Sequence, residues 1–91
     1  MKRIKAWHCD SWDEYLHWHE HDDDKWEKVN ELLKDIERNP FKGLGKPEPL
    51  KHIPGGWWSR RITDEHRIVY RVRDEGADRY LDILRCRGHY K

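Results

Sequence analysis

Three short stretches concentrate the side chains that can do chemistry: Gly45-Lys46-Pro47-Glu48-Pro49-Leu50-Lys51-His52, the segment around Arg67, and the closing Cys86-Arg87-Gly88-His89-Tyr90-Lys91. Glu48 stands between two prolines, whose fixed φ stiffens the backbone on both sides and would hold a carboxylate in one place. By residue type alone it could equally be an ordinary exposed acid. His89 and Tyr90 close a tail that frays unless something engages it. Arginine carries a planar fork matched to phosphate oxygens, so the arginine-rich second half suits a phosphate-bearing partner. His17 and His21 fall one helical turn apart, a spacing that allows an adventitious metal pair. No stretch has the ligand set of a dedicated metal site, and no cofactor is expected.

The 19 Lys and Arg nearly balance 18 Asp and Glu, yet the charges are segregated. Residues 1–9 carry a net of +3, residues 10–37 a net of −8 and residues 38–91 a net of +6. A basic face beside an acidic one is a first sign of a nucleic-acid partner, although two solvated faces that neutralise each other fit the same totals. Leu, Ile, Val and Phe number only 17 of the 91 residues, so six Trp and four Tyr must supply much of the core, each burying roughly 150–250 Å². The length suits one domain, residues 1–91. No apolar run reaches ten residues, which argues against a membrane span or a secretory signal core, and a cytoplasmic location is expected. Cys9 and Cys86 are then expected as buried, reduced thiols.

The elements that must position these residues follow from periodicity. Lys2 to Trp7 alternates basic and apolar positions, with Ile4 and Ala6 on one side of a short half-buried strand. A helix begins at Asp10 or Ser11, where Ser11-Trp12-Asp13-Glu14 fits a capping box, and Trp12, Tyr15, Leu16 and His19 form its apolar stripe. The run His21-Asp22-Asp23-Asp24 offers a turn and a second N-cap before Trp26, Val29, Leu32, Leu33 and Ile36, spaced by three and four. Arg38-Asn39-Pro40 ends this αα-hairpin. Four prolines and four glycines between Pro40 and Gly56 exclude a helix or a central strand there. Strands Trp57–Thr63, His66–Asp74 and Arg79–Arg87 then form a meander. In its middle strand His66, Ile68, Tyr70 and Val72 share one face, while Arg67, Val69, Arg71 and Arg73 share the other. The predicted fold is α+β: an antiparallel sheet with an N-terminal αα-hairpin packed on one face, in the order β-α-α-β-β-β. Of the Trp57-Trp58 pair, one indole is expected in the core and the other toward the loop.

Trp12-Asp13-Glu14-Tyr15, Asn39-Pro40-Phe41, Gly45 to Lys51, Trp58-Ser59-Arg60-Arg61-Ile62, Glu65-His66-Arg67-Ile68-Val69-Tyr70 and His89-Tyr90 together closely resemble the Txe/YoeB family of bacterial toxins, within the RelE/ParE superfamily. The resemblance runs end to end in one order. It implies a RelE-like fold and the toxin of a type II toxin-antitoxin system: an mRNA endonuclease that works in the ribosomal A site and is silenced by a cognate Phd/YefM-like antitoxin, with a homodimer as a further family trait. Matched position by position, it implies that Glu48, Arg67, His89 and Tyr90 are catalytic and that Lys46, Lys51, His52 and Arg61 contact RNA. Gly88 stands where a bulkier residue is common, and Lys91 extends past the usual terminal Tyr.

The implied chemistry is self-consistent. Metal-free RNA cleavage needs a base for the 2′-hydroxyl proton, an acid for the departing 5′-oxygen and a cation for charge developing on the phosphate. Glu48, His89 and Arg67 match these roles, and Tyr90 can stack on a base. A glutamate titrates near about 4.3 and a histidine near about 6.5, so both are correctly ionised only around pH 5–6 unless bound phosphate raises the histidine. The alternative function is a non-catalytic interaction protein of the same fold, binding only an antitoxin or acting as a gyrase-inhibiting relative. An acidic segment of the antitoxin is expected to fold over the basic face and displace His89 and Tyr90.

Overall fold

The computed structural model describes residues 2–88. Chain order is β1 (Ile4–Trp7), α1 (Ser11–His21), α2 (Asp23–Arg38), β2 (Glu48–Pro49), β3 (Trp58–Arg61), β4 (Arg67–Glu75) and β5 (Asp78–Arg85). Asp22 caps α2, its side chain accepting from the Lys25 amide, and Asn39 closes that helix before Pro40. The strands lie in the order β1-β5-β4-β3-β2. The predicted meander is present, with two differences at its edges. β1 pairs parallel to β5, making the sheet mixed, and Glu48–Pro49 adds a two-residue edge strand to β3. An edge tolerates the prolines because an outer strand can leave amide positions unpaired.

Both helices pack on one face. Val29, Leu32, Leu33 and Ile36 of α2 and Trp18 of α1 meet Ile62, Ile68, Tyr70, Leu81, Ile83 and Cys86 in a single core. The α1 stripe differs from expectation. Trp12 is 47% exposed and His19 is exposed, while Ser11 and Trp18 are buried with Glu14 and Tyr15 half-buried between them. The capping box is absent for the same reason: Glu14 turns inward, its Oε1 accepting from the Cys86 amide at 2.8 Å, and Ser11 Oγ has no hydrogen-bond partner among the described residues. In β1 the faces are inverted, since Trp7 packs against Trp12 and Tyr15 whereas Ile4 is 51% exposed. Cys86 is buried, but Cys9 is exposed.

Arg60 of β3 is fully buried and has all five of its N–H donors engaged. Nε donates to Tyr70 Oη at 3.1 Å, Nη1 to Asp35 Oδ2 at 2.5 Å and Leu44 O at 3.2 Å, and Nη2 to Asn39 O at 2.6 Å and Lys42 O at 3.0 Å. Tyr70 Oη in turn donates to Pro40 O. The arginine thereby ties the end of α2 and the segment 39–44 to the sheet. Lysine has three donors and no fork, so Arg60→Lys should destabilise the fold nearly as much as Arg60→Ala, for which breaking a buried ion pair costs about 3–5 kcal/mol. Urea denaturation checks this, and a lysine variant within about 0.5 kcal/mol of the parent would contradict it.

Candidate functional site

The face of the sheet away from the helices carries the residues singled out by the sequence. Glu48 pairs with Ser59, Ser59 with Val69, and Arg61 with Arg67. Paired residues in an antiparallel ladder point to the same side, so Glu48, Arg61 and Arg67 share this face, with the arginine pair roughly 7 Å along the strands from Ser59. Ser59 and Val69 are buried and floor the space between them. Glu48 and Arg61 are exposed.

Two backbone features set Glu48 in its place. Arg61 N donates to Gly45 O at 2.7 Å, and Leu50 N to Trp57 O at 2.9 Å, so the loop is laced to β3 on both sides of the carboxylate. Gly45 has φ +79°, and a Cβ there would lie 3.0 Å from Arg61 O, so only glycine allows this approach. Lys46 follows with φ +52°. Lys46, Lys51 and His52 are all exposed around the loop.

Arg67 opens β4. Its Nη1 donates to Thr63 O at 2.7 Å and Asp64 O at 3.0 Å, contacts to neutral carbonyls that fix the guanidinium without cancelling its charge. Its amide donates to Gly88 O at 3.0 Å, and Gly88 N donates to His66 Nδ1 at 2.8 Å. The last described residue is therefore fastened beside Arg67. His89 and Tyr90 lie outside the described residues.

The arginines expected together on one face of β4 are not equally available. Asp82 of β5, fully buried, accepts from Arg71 Nε at 2.8 Å and Arg73 Nε at 2.7 Å, and its Oδ1 lies 3.0 Å from His8 Nε2. The Arg71 guanidinium also covers Trp57 at 4.3 Å. Trp57 thus packs on this face, while Trp58 packs against the core and Phe41. Burial alone would push the Asp82 carboxyl up, but Arg73, Arg71 and His8 together hold it down at about 2. Of the four arginines that β3 and β4 place on this face, Arg71 and Arg73 are occupied with an internal acid, and Arg61 and Arg67 face each other. The signal for Asp82 was present in the sequence as a charge between Leu81 and Ile83 in a strand. For Arg60 the signal was strand alternation, which puts it on the same face as Trp58 and Ile62. The His17 and His21 rings lie 4.7 Å apart, tilted at 44° to each other. Burial pushes the Cys86 thiol up to about 12.

The family model described as YoeB-like toxin of bacterial type II toxin-antitoxin system matches residues 7–90. The chain belongs to this family. Toxin YoeB of Escherichia coli K12 is 56% identical over 90 residues, spanning 99% of this chain and 100% of that one. The solved YoeB/ParE toxin from Agrobacterium tumefaciens is 49% identical with a TM-score of 0.89, covering 96% of this chain and 99% of that one. A Staphylococcus aureus YoeB, 37% identical over 99% of this chain and 100% of its own, has been solved as a dimer and as a heterotetrameric YoeB-YefM complex, with TM-scores of 0.87 and 0.83. All are similar to this chain over nearly its whole length.

A pH test separates Asp82 from the other acids. A depressed carboxyl contributes stability above its ordinary value of 3.8, and that contribution is lost as pH falls toward about 2. Urea stability measured from pH 5 to pH 2 should fall less steeply in Asp82→Asn than in the parent. Parallel curves would place the acid sensitivity elsewhere.

Proposed function

We propose that this toxin is a metal-independent endoribonuclease that cleaves mRNA in the ribosomal A site and is neutralised by a cognate antitoxin. The observation that supports it best is the placement of Arg61 directly opposite Arg67 on the face shared with Glu48. Like charges directly opposite one another destabilise a sheet, and a phosphate between them relieves that repulsion.

In this reading Glu48 takes the proton from the 2′-hydroxyl, the 2′-oxygen attacks phosphorus, and the 5′-oxygen leaves with a proton supplied by His89, closing a 2′,3′-cyclic phosphate. Arg67, aided by Arg61, stabilises charge on the phosphate oxygens, and Tyr90 stacks on a base. Lys46, Lys51 and His52 track the backbone beside the carboxylate. Arg67 is already held by the Thr63 and Asp64 carbonyls before substrate arrives, so little ordering is needed at the moment of reaction. The S. aureus relative solved with YefM supports a YefM-like antitoxin as partner, and its dimer supports self-association. A cytoplasmic site of action follows from a ribosomal target.

Glu48→Gln and His89→Gln should each lower mRNA cleavage on programmed ribosomes by ~10²–10⁴. Melting should stay at the parent value for Glu48→Gln, since that side chain is exposed. Full toxicity of both variants on induced expression would end the catalytic reading. Lys51→Ala and Arg61→Ala should each reduce the slope of log affinity for RNA against log salt by about 0.7, the release expected for one phosphate contact with a single strand. Unchanged slopes in both would place the RNA elsewhere.

A further inference from the structure

We infer that His66 is a positioning residue whose imidazole clasps the Gly88 amide and thereby fixes the backbone to which His89 and Tyr90 are joined. The inference rests on the tail's catalytic role proposed above. Both peptide groups of Gly88 are engaged: its N–H donates to His66 Nδ1 at 2.8 Å and its carbonyl accepts from Arg67 N at 3.0 Å. Two residues earlier the strap is fastened again. Cys86 N donates to Glu14 Oε1 and Cys86 O accepts from Trp18 Nε1, each at 2.8 Å. The Trp18 ring meets the His66 ring edge-on at 4.8 Å, so the same indole orients the histidine and holds the strap. Gly88 itself sits at φ +85°, a left-handed conformation open to glycine.

Nδ1 accepts only in the neutral tautomer with the proton on Nε2, and that nitrogen faces Glu65 Oε2 at 3.9 Å. A second proton turns Nδ1 into a donor aimed at the Gly88 N–H. The charged groups around the ring are Glu65 in its own loop, Lys25 and Asp22 at the start of α2, and Arg87 on the strap. Burial, first, keeps the ring neutral below the ordinary histidine value; Glu65 and Asp22 oppose this, and Lys25 and Arg87 add to it. The clasp is therefore closed at neutral pH and opens as pH falls through that lowered value.

The test uses the full chain, with the Gly88 amide followed by NMR and hydrogen exchange and with cleavage followed on programmed ribosomes. In the parent, the Gly88 amide shift should titrate with a midpoint below the ordinary histidine value, a measurement that needs no variant. His66→Leu keeps apolar bulk against Trp18 but removes the acceptor. It should exchange Gly88 about 10-fold faster or more and lower kcat on the order of 10²-fold, as a misplacement of about 1 Å does. His66→Asn returns an acceptor near Nδ1 and cannot titrate, so it should restore Gly88 protection and cleavage while abolishing the titration. A Gly88 amide that neither titrates in the parent nor changes in His66→Leu overturns the clasp, whatever the activity. A freed Gly88 with cleavage unchanged overturns the positioning role. A fully active Glu48→Gln overturns the catalytic reading beneath it, and the amide measurements still decide the clasp by themselves.

Discussion

The architecture depends on one buried cation. Arg60 is removed from water with every donor matched, and only such complete matching offsets the loss of a guanidinium's hydration. Its partners come from three places: the last turn of α2 through Asp35, the segment 39–44 through three carbonyls, and β4 through Tyr70. A stretch as rich in glycine and proline as 40–56 cannot build a core of its own. Polar attachment from below takes the place of apolar packing there, and the carboxylate at residue 48 inherits its position from that attachment.

The sheet divides the labour between its faces. Toward the helices it is apolar, and the tryptophans compensate for the scarcity of aliphatic residues: Trp18 is in the core, and Trp7, Trp26 and Trp58 pack around it. Away from the helices it is polar and graded. Near β1 and β5, Asp82 absorbs Arg71 and Arg73, whereas toward β2 the arginines sit opposite one another. An internal acid thus concentrates the positive potential at one end of the face, beside Glu48, and keeps it from spreading over the whole surface.

Much of this was legible from the chain. The three- and four-residue spacing of Val29, Leu32, Leu33 and Ile36, the Asp22 cap and Pro40 located α2, and the alternation of Ile68, Tyr70 and Val72 with Arg67, Val69 and Arg71 assigned the faces of β4. The failures share a cause, which is that a local pattern was overridden by a distant partner. Glu14 fits a capping box until the Cys86 amide, 72 positions away, claims its carboxylate. Ile4 looks inward until pairing with Tyr80 gives the helix side to Lys5 and Trp7. Arg60 and Arg61 are identical in type and adjacent in sequence, and only strand alternation, read with the position of Asp35, sends one inside and leaves the other in solvent. The candidate site followed the same rule: its residue types were visible in the motifs, while His66 acts through a strap that no local spacing announces.

The parallel pairing of β1 with β5 joins the first strand of the sheet to the last. Arg3 reaches the Tyr80 carbonyl across 77 positions, so contacts of very high sequence separation close the sheet. During synthesis β1 and both helices emerge long before the strand that completes them, and they have no full sheet to pack on until β5 has been made. A chain that lacks β5 therefore lacks the common partner of β1 and β4 and the core residues Leu81 and Ile83. The topology itself makes closure of the core one of the last steps open to the folding chain.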